Sequence, residues 1–384
     1  DLVAACRSVL AQVGEGDELA ISCFWHSLIG VDAHDRPLTP VLTWREVGGA
    51  APPALGGADY HRRTGCFEHP SFWPAKIRRL QDEGVRPSRY LSFGDYLLLR
   101  LAGEARTSVS TASGTGLFDP NRLDWDEETL EVLGIDRAQL APVSDEPVAG
   151  VRPALGDGAC SNVGVGCTTR QRAAVMIGTS AALRVVYASD SAEPHPGLFL
   201  YRLDERRFCE GGALSDGGNL HAWLAGTLRD VADAGLAARP AAAHGLVFRP
   251  FLGGERSLGW DASRRGVISG LSFATTPVDI AQAALEGVCY QLADVLDAIG
   301  GVDSVVATGG ALLANPDWLQ VLADVLGRRL EVSTGEGSAR GSAMIALERL
   351  GLPVPQAPLA QAIEPRPGRH AIHLAARAEQ RETT

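Results

Sequence analysis

A single lysine, Lys76, stands among 384 residues, every other basic side chain apart from histidine being arginine. A nucleotide loop of the Gly-Lys-Ser/Thr type needs a lysine after its glycines, and Lys76 sits instead in Pro74-Ala75-Lys76-Ile77, so that architecture is excluded. Positive charge is scarce as well: 35 Lys and Arg face 46 Asp and Glu, for a net charge of −11. That sign disfavours nucleic acid and anionic membranes as partners, because both are held by neutralising phosphates. No apolar run approaches the 18 residues of a bilayer span, and no basic start with an apolar core marks a signal peptide. The seven cysteines (Cys6, Cys23, Cys66, Cys160, Cys167, Cys209, Cys289) are odd in number and lack the short paired spacings of a zinc site. They read as buried thiols in a reducing compartment, and the expected location is cytoplasmic. Apolar bulk, by contrast, is plentiful: 45% of residues are hydrophobic, enough for a large core that at this length ordinarily divides into two domains.

The second half is the more legible. Ala173-Ala174-Val175-Met176-Ile177 runs into Gly178-Thr179-Ser180 and out through Leu183-Arg184-Val185-Val186-Tyr187, a β-hairpin pattern. A third strand is expected at Arg207-Phe208-Cys209, then an amphipathic helix over 220–234. Strands are predicted at 246–248, 304–307 and 330–332, and helices over 279–299, 316–326 and 338–350. The first half predicts helices over 2–13, 75–81, 95–101 and 126–133, with a strand over 18–22. Three strands followed by alternating helix and strand is the order of the ribonuclease-H-like domain of actin and hexokinase, and the first half repeats part of it. The expected fold is α/β, with two such domains, residues 1–168 and 169–384, around a central cleft. A duplicated first half should open on a hairpin unit of about 50 residues. It opens on a helix, so the first domain is expected to lack its leading β-strands, with a shorter gap near 147–153.

The most specific segment is Gly266-Val267-Ile268-Ser269-Gly270-Leu271, followed after seven residues by Asp279-Ile280-Ala281-Gln282-Ala283-Ala284-Leu285-Glu286. It resembles the C-terminal signature of the FGGY carbohydrate kinases. Asp157-Gly158-Ala159, Gly178-Thr179-Ser180, Gly309-Gly310-Ala311 and Ala339-Arg340-Gly341-Ser342-Ala343 resemble the same family in the same order. Within it, Phe24-Trp25-His26-Ser27 with Asp32, Pro37-Leu38-Thr39-Pro40 and Trp44 is most similar to the gluconokinase branch. So are Ser110-Thr111-Ala112-Ser113-Gly114-Thr115-Gly116 and Gly254-Glu255-Arg256-Ser257.

The resemblance implies transfer of a phosphoryl group from ATP, with Mg²⁺, to a sugar or sugar-acid hydroxyl, gluconate to 6-phosphogluconate first. Such chemistry needs a carboxylate to take the hydroxyl proton and donors to hold phosphates. Asp157, between two glycines at the junction of the halves, matches the family's catalytic aspartate and is also its candidate contact to Mg-ATP; by itself it reads as a turn or helix-cap residue. Gly178, Thr179 and Ser180 form a hairpin turn able to cradle ATP phosphates through backbone N–H groups and hydroxyls, although most such triplets are plain turns. Gly309, Gly310 and Ala311, between strand and helix, allow close approach of adenosine, with Asn315 and the Arg340-Gly341 segment as further lining. For the sugar, Trp25 offers an apolar wall and His26 a hydrogen-bond partner, against the commoner fate of a buried, backbone-bonded histidine. Lys76 and Arg256 can meet a carboxylate or phosphate, against a solvated helix face for the first and a structural ion pair for the second.

Two departures qualify the resemblance. No residue matches the family's opening strand-turn of aspartate, glycine and Thr/Ser, and Trp44-Arg45-Glu46-Val47-Gly48 stands where the family tends to carry Trp-x-Asp-x-Arg, so an arginine clamp is lost. A non-catalytic sugar-binding or regulatory relative is the alternative reading, and xylulose, ribulose or another pentulose the alternative substrate. Partners are expected to be the sugar and ATP, with a homodimer as the possible assembly.

Overall fold

The computed structural model describes residues 2–13, 16, 18–45, 49–229, 231 and 235–382. The first half carries short strands: β1 (Ser22–Cys23), β2 (Ile29–Val31), β3 (Arg89–Leu91), β4 (Phe118–Asp119), β5 (Asp124–Trp125) and β6 (Leu155–Gly156). They pair two by two: β1 runs parallel to β6, β2 antiparallel to β3, and β4 antiparallel to β5. The strand expected over 18–22 shrinks to β1 and an isolated bridge from Leu19 to Val151. Asp157 lies one residue past β6, as the first residue of the helix Asp157–Gly164.

The second half supplies β7 (Arg172–Ile177), β8 (Ala181–Ala188), β9 (Phe199–Arg202), β10 (Arg207–Leu214), β11 (Val247–Arg249), β12 (Val267–Ser269), β13 (Ser304–Thr308), β14 (Leu330–Val332) and β15 (Gln361–Ile363). Seven of these form one mixed sheet in the order β15-β14-β13-β7-β8-β10-β9. β7, β8, β10 and β9 are joined antiparallel, whereas β13 pairs parallel with both β7 and β14. β8 is buried along all but its last residue, which is why its sequence is apolar nearly throughout. Its alternation divides two cores. Leu183 and Val185 join the cluster under the helices Pro277–Ile299 and Pro316–Leu326, while Ala182 and Val186 join a cluster shared with Trp25, Phe72 and other first-half residues.

The helices Asp157–Gly164 and Gly337–Arg349 lock the halves together at backbone distance. A Cβ on Gly337 would lie 2.9 Å from Ser161 Oγ, and one on Gly341 would meet the Cys160 carbonyl. Gly341 is therefore a helix-crossing glycine, and Arg340 is bound to the Gln356 carbonyl at 2.6 Å. The helix Pro277–Ile299 starts on a capping box, Thr276 with Asp279, and a proline in its first turn, two residues ahead of the predicted start. The helix predicted over 220–234 spans Gly218–Thr227, after which Leu228 is extended; residues 230 and 232–234 lie outside the described set. β9, β15 and the helix Pro367–Glu382 are additions to the predicted elements. Among the described residues, no helix is long and apolar enough to cross a membrane.

Candidate active site

The glycines flanking Asp157 exist because of Trp25. A Cβ on Gly156 would land inside the indole ring, and one on Gly158 would lie 2.7 Å from Trp25 Cζ3 and 2.9 Å from Arg184 Cζ. The indole is held from every side: its Nε1 donates to the Ser110 carbonyl at 2.9 Å, Tyr201 meets it edge-on at 5.0 Å, and a Cβ on Gly114 would come within 2.5 Å of Cδ1. Ser110 and Gly114 thus cradle the tryptophan, and Asp157 stands between the two glycines that pack on it.

His26, the next residue, has a left-handed backbone (φ 66°) fixed by two contacts. Its Nδ1–H donates to the Gly114 carbonyl at 2.6 Å, and Lys76 Nζ donates to the His26 carbonyl. Burial, then the charges of Arg256 and Lys76, hold the imidazole well below its usual pKa, so the ring is neutral. Lys76 is wholly buried, which removes the competing reading of a solvated helix face.

Around Asp157 the charges are cationic. Burial raises its carboxyl above the usual range, against the opposing pull of Arg184, the amides of Gly158 (2.8 Å) and Trp25, and Arg256. Arg256 is buried, and burial lowers its pKa to about 10. Its guanidinium sits 5.5 Å from the Trp44 ring centroid and 5.8 Å from that of Trp260. Ser257, the next residue, is clamped to Ala213 of β10 by two 3.0 Å hydrogen bonds. Among the described residues Arg256 forms no ion pair, which removes the competing structural reading of this arginine, and Nε of Arg256, Nε of Arg184 and the Tyr201 hydroxyl are all buried without hydrogen-bond partners. Three orphaned donors beside one carboxylate form a polar ligand site. His69 completes the far wall, 5.5 Å edge-on to Trp260, with a pKa pushed down to about 3 by burial, Arg256 and Lys76. Of Trp44-Arg45-Glu46-Val47-Gly48, the last three residues lie outside the described set.

The predicted nucleotide segments converge on a second cluster. Gly178 N–H donates to the Ser180 carbonyl, while the carbonyls of Gly178 and Thr179 accept from Gly218 and Asn219. Among the described residues, the amides and hydroxyls of Thr179 and Ser180 keep no internal partner, which suits phosphate oxygens. Gly309 (φ 102°) packs so closely on Ile177 that no side chain fits, and a Cβ on Gly218 would lie 2.6 Å from that of Ala311. Around Gly310 there is open space. Asn315 spends its Oδ1 on capping the helix Pro316–Leu326, accepting from Trp318 N–H at 3.0 Å.

Asp216 lies in the same cluster, buried, with one oxygen orphaned and a pKa pushed up to about 7 by burial, against the amides of Leu252 and Gly253. A folded value above the unfolded one means that stability is full below pH 3.8 and is lost as pH rises to about 7. Asp216→Asn is expected to add about 2 kcal/mol of stability at pH 8 and nothing below pH 4, measured by denaturant melts across that range.

A buried charged cluster beside Asp157 and a lysine-free Gly-Thr-Ser turn at the head of β8 are the features to set beside known families. The model of the FGGY family of carbohydrate kinases matches its N-terminal domain over residues 2–155 and its C-terminal domain over residues 173–348. The chain belongs to the FGGY carbohydrate kinases. The gluconokinase of Bacillus subtilis (strain 168) is 28% identical, covering 87% of this chain and 74% of its own length. The xylulose kinase of Escherichia coli (strain K12) is 29% identical over 92% of this chain and 82% of its own. The solved gluconate kinase from Lactobacillus acidophilus shares the fold with a TM-score of 0.85 at 24% identity, covering 97% of this chain and 85% of that one. The architecture is thus the two-domain actin/hexokinase-like fold, and the FGGY protein is a carbohydrate kinase that phosphorylates an alcohol group.

Sequence reasoning brought Asp157, Trp25, His26, Lys76 and Arg256 into one neighbourhood and missed Arg184, Tyr201 and His69. Arg184 carried a readable signal, a charge inside the apolar run from Ala181 to Val186.

Proposed function

We propose that this FGGY kinase phosphorylates gluconate to 6-phosphogluconate, using ATP and Mg²⁺, with Asp157 as the base. The observation that carries the substrate is Arg256, a buried guanidinium between two indole rings with an unbonded Nε. A buried cationic donor without a hydrogen-bond partner costs about 1–3 kcal/mol or more, and a sugar carboxylate removes that cost whereas a neutral ketose leaves much of it standing. The likeness to the Bacillus subtilis gluconokinase supports the same choice. Residues 1–168 supply Trp25, His26 and Asp157 to the sugar, and residues 169–384 hold the nucleotide while lending Arg256 to the sugar's carboxylate. Gly178, Thr179 and Ser180 hold the phosphates, Gly309, Gly310 and Ala311 flank adenosine, and Asn315 anchors the helix behind it. The donor set fits Mg²⁺ carried on phosphates, since that ion needs only one or two carboxylates, here Asp157, and supplies charge neutralisation. Trp25 and the neutral His26 orient the sugar, Lys76 fixes the His26 backbone, and Asp157 accepts the hydroxyl proton as the oxygen bonds to phosphorus. Closure of the halves excludes water from that step.

Calorimetric binding tests the assignment. Arg256→Gln is expected to weaken gluconate about 10- to 100-fold while leaving xylulose or ribulose within about threefold. Equal weakening of acid and ketose contradicts carboxylate recognition by Arg256.

A further inference from the structure

Two guanidiniums, each with a buried Nε that lacks a hydrogen-bond partner, flank Asp157, and they are not equivalent. Arg256 belongs to the far wall, where His26 and His69 both respond to its charge and Trp44 and Trp260 bracket it. Arg184 belongs to the Asp157 end. Its charge is the strongest opposing influence on that carboxyl, ahead of Arg256. Two glycines make its channel: a Cβ on Gly211 of β10 would lie 3.0 Å from Arg184 Cγ, and one on Gly158 would lie 2.9 Å from its Nε and Cζ. The stem therefore crosses β10 and delivers the guanidinium beside the first turn of the helix that Asp157 opens. The side chain is buried, its Nε has no partner, and Tyr201, another orphan, answers to its charge.

Arg184 also sits on the strand that leaves the phosphate turn. β8 begins at Ala181, directly after Ser180, and Ala182 and Arg184 share the face turned toward Asp157. Four residues of strand span roughly 13 Å, so Arg184 stands between the turn that suits the donor's phosphates and the carboxylate that suits the acceptor's hydroxyl.

We propose that Arg184 is a catalytic residue whose guanidinium grips the phosphoryl group as it passes from ATP to the sugar, and then the phosphate of the product. The proposal rests on the kinase reading above. In the step, the sugar oxygen forms a bond to the terminal phosphorus and the bond from that phosphorus to the bridging oxygen breaks. ADP keeps the electron pair, and the hydroxyl proton goes to Asp157. The transferred group spreads negative charge over its oxygens, and a planar fork of donors held ready in a low-dielectric seam stabilises that charge most where it is greatest. A carboxylate at the other end of the same sugar falls to Arg256.

The test separates the ends. Arg184→Gln is expected to lower kcat about 100- to 1,000-fold with gluconate affinity changed less than threefold, and Arg184→Lys to recover part of the loss. Calorimetry gives the readout that a merely structural role does not move. Arg184→Gln should weaken 6-phosphogluconate at least tenfold relative to gluconate, whereas Arg256→Gln should weaken both alike. Arg184→Gln that leaves kcat intact, or that weakens gluconate as much as its phosphate, overturns the assignment. If the unsubstituted protein turns over no sugar, the kinase reading of the substrate fails instead, and the ratio of sugar-phosphate to sugar binding in Arg184→Gln still decides the role of Arg184.

Discussion

Asp157→Asn is expected to cut turnover by about three orders of magnitude or more while leaving the protein folded, because removal of a positioned general base costs typically 10² to 10⁴ in rate. The substitution keeps shape and loses only the ability to hold a proton. Its structural effect should run the other way. Burial raises the Asp157 carboxyl above the usual carboxylate range, so the folded state disfavours the charge, and stability contributed by this group is present at low pH and lost as pH rises through the folded value. Asparagine removes that penalty, and the variant should melt at or above the parent temperature at pH 7. The same shift fixes a pH dependence in the unsubstituted enzyme: the acidic limb of kcat/KM should fall above the ordinary aspartate value of about 3.9. Coupled ADP release and thermal melts on the same preparations check all three. A folded Asn variant that keeps its turnover removes the case for Asp157 as base.

Gly156→Ala is expected to be the most damaging single methyl group in the pocket. The backbone at Gly156 has an ordinary φ of −64°, so alanine meets no conformational strain there. The loss is wholly steric, since the new Cβ falls within the Trp25 ring, which Ser110, Gly114 and Tyr201 prevent from moving. Overpacking of this severity costs about 3 kcal/mol, a Tm decrease on the order of 10 °C. The sugar wall is displaced with it, so kcat/KM should drop at least about 100-fold. A double-mutant cycle isolates the contact: with Trp25→Ala in place, the added methyl should become nearly neutral in stability, giving a coupling of about 3 kcal/mol. Additive effects would mean that the indole is not what excludes the methyl.

These residues mark how far the sequence could be read. Elements with strong local signals were legible: the helix Pro316–Leu326 begins at a proline after an asparagine cap, and β14 is bounded by turns, so both match their predicted ranges. Where tertiary contacts decide, the sequence is silent. β9 contains Phe199 and Tyr201 and pairs only at the sheet edge with β10, and nothing in its four residues announces that the Tyr201 hydroxyl faces Arg184 and Arg256. Gly156 and Gly158 looked like the glycines of a turn, yet they are there for an indole 131 and 133 residues earlier in the chain. Arg256 was legible as a charge in a motif, but only packing shows that its Nε is buried without a hydrogen-bond partner among the described residues. Lys76 shows the reverse case, a charge expected to meet a substrate anion that the fold buries with its Nζ on the His26 carbonyl.

The most direct measurement is coupled ADP release by the protein with gluconate, xylulose, ribulose and glycerol at matched concentrations, each beside Asp157→Asn. A gluconate kcat/KM about 100-fold or more above that of every neutral sugar, abolished in the Asn variant, is the expected result. A neutral ketose or glycerol used as well as gluconate, or turnover that survives Asp157→Asn, would contradict a sugar-acid kinase built on Arg256 and Asp157.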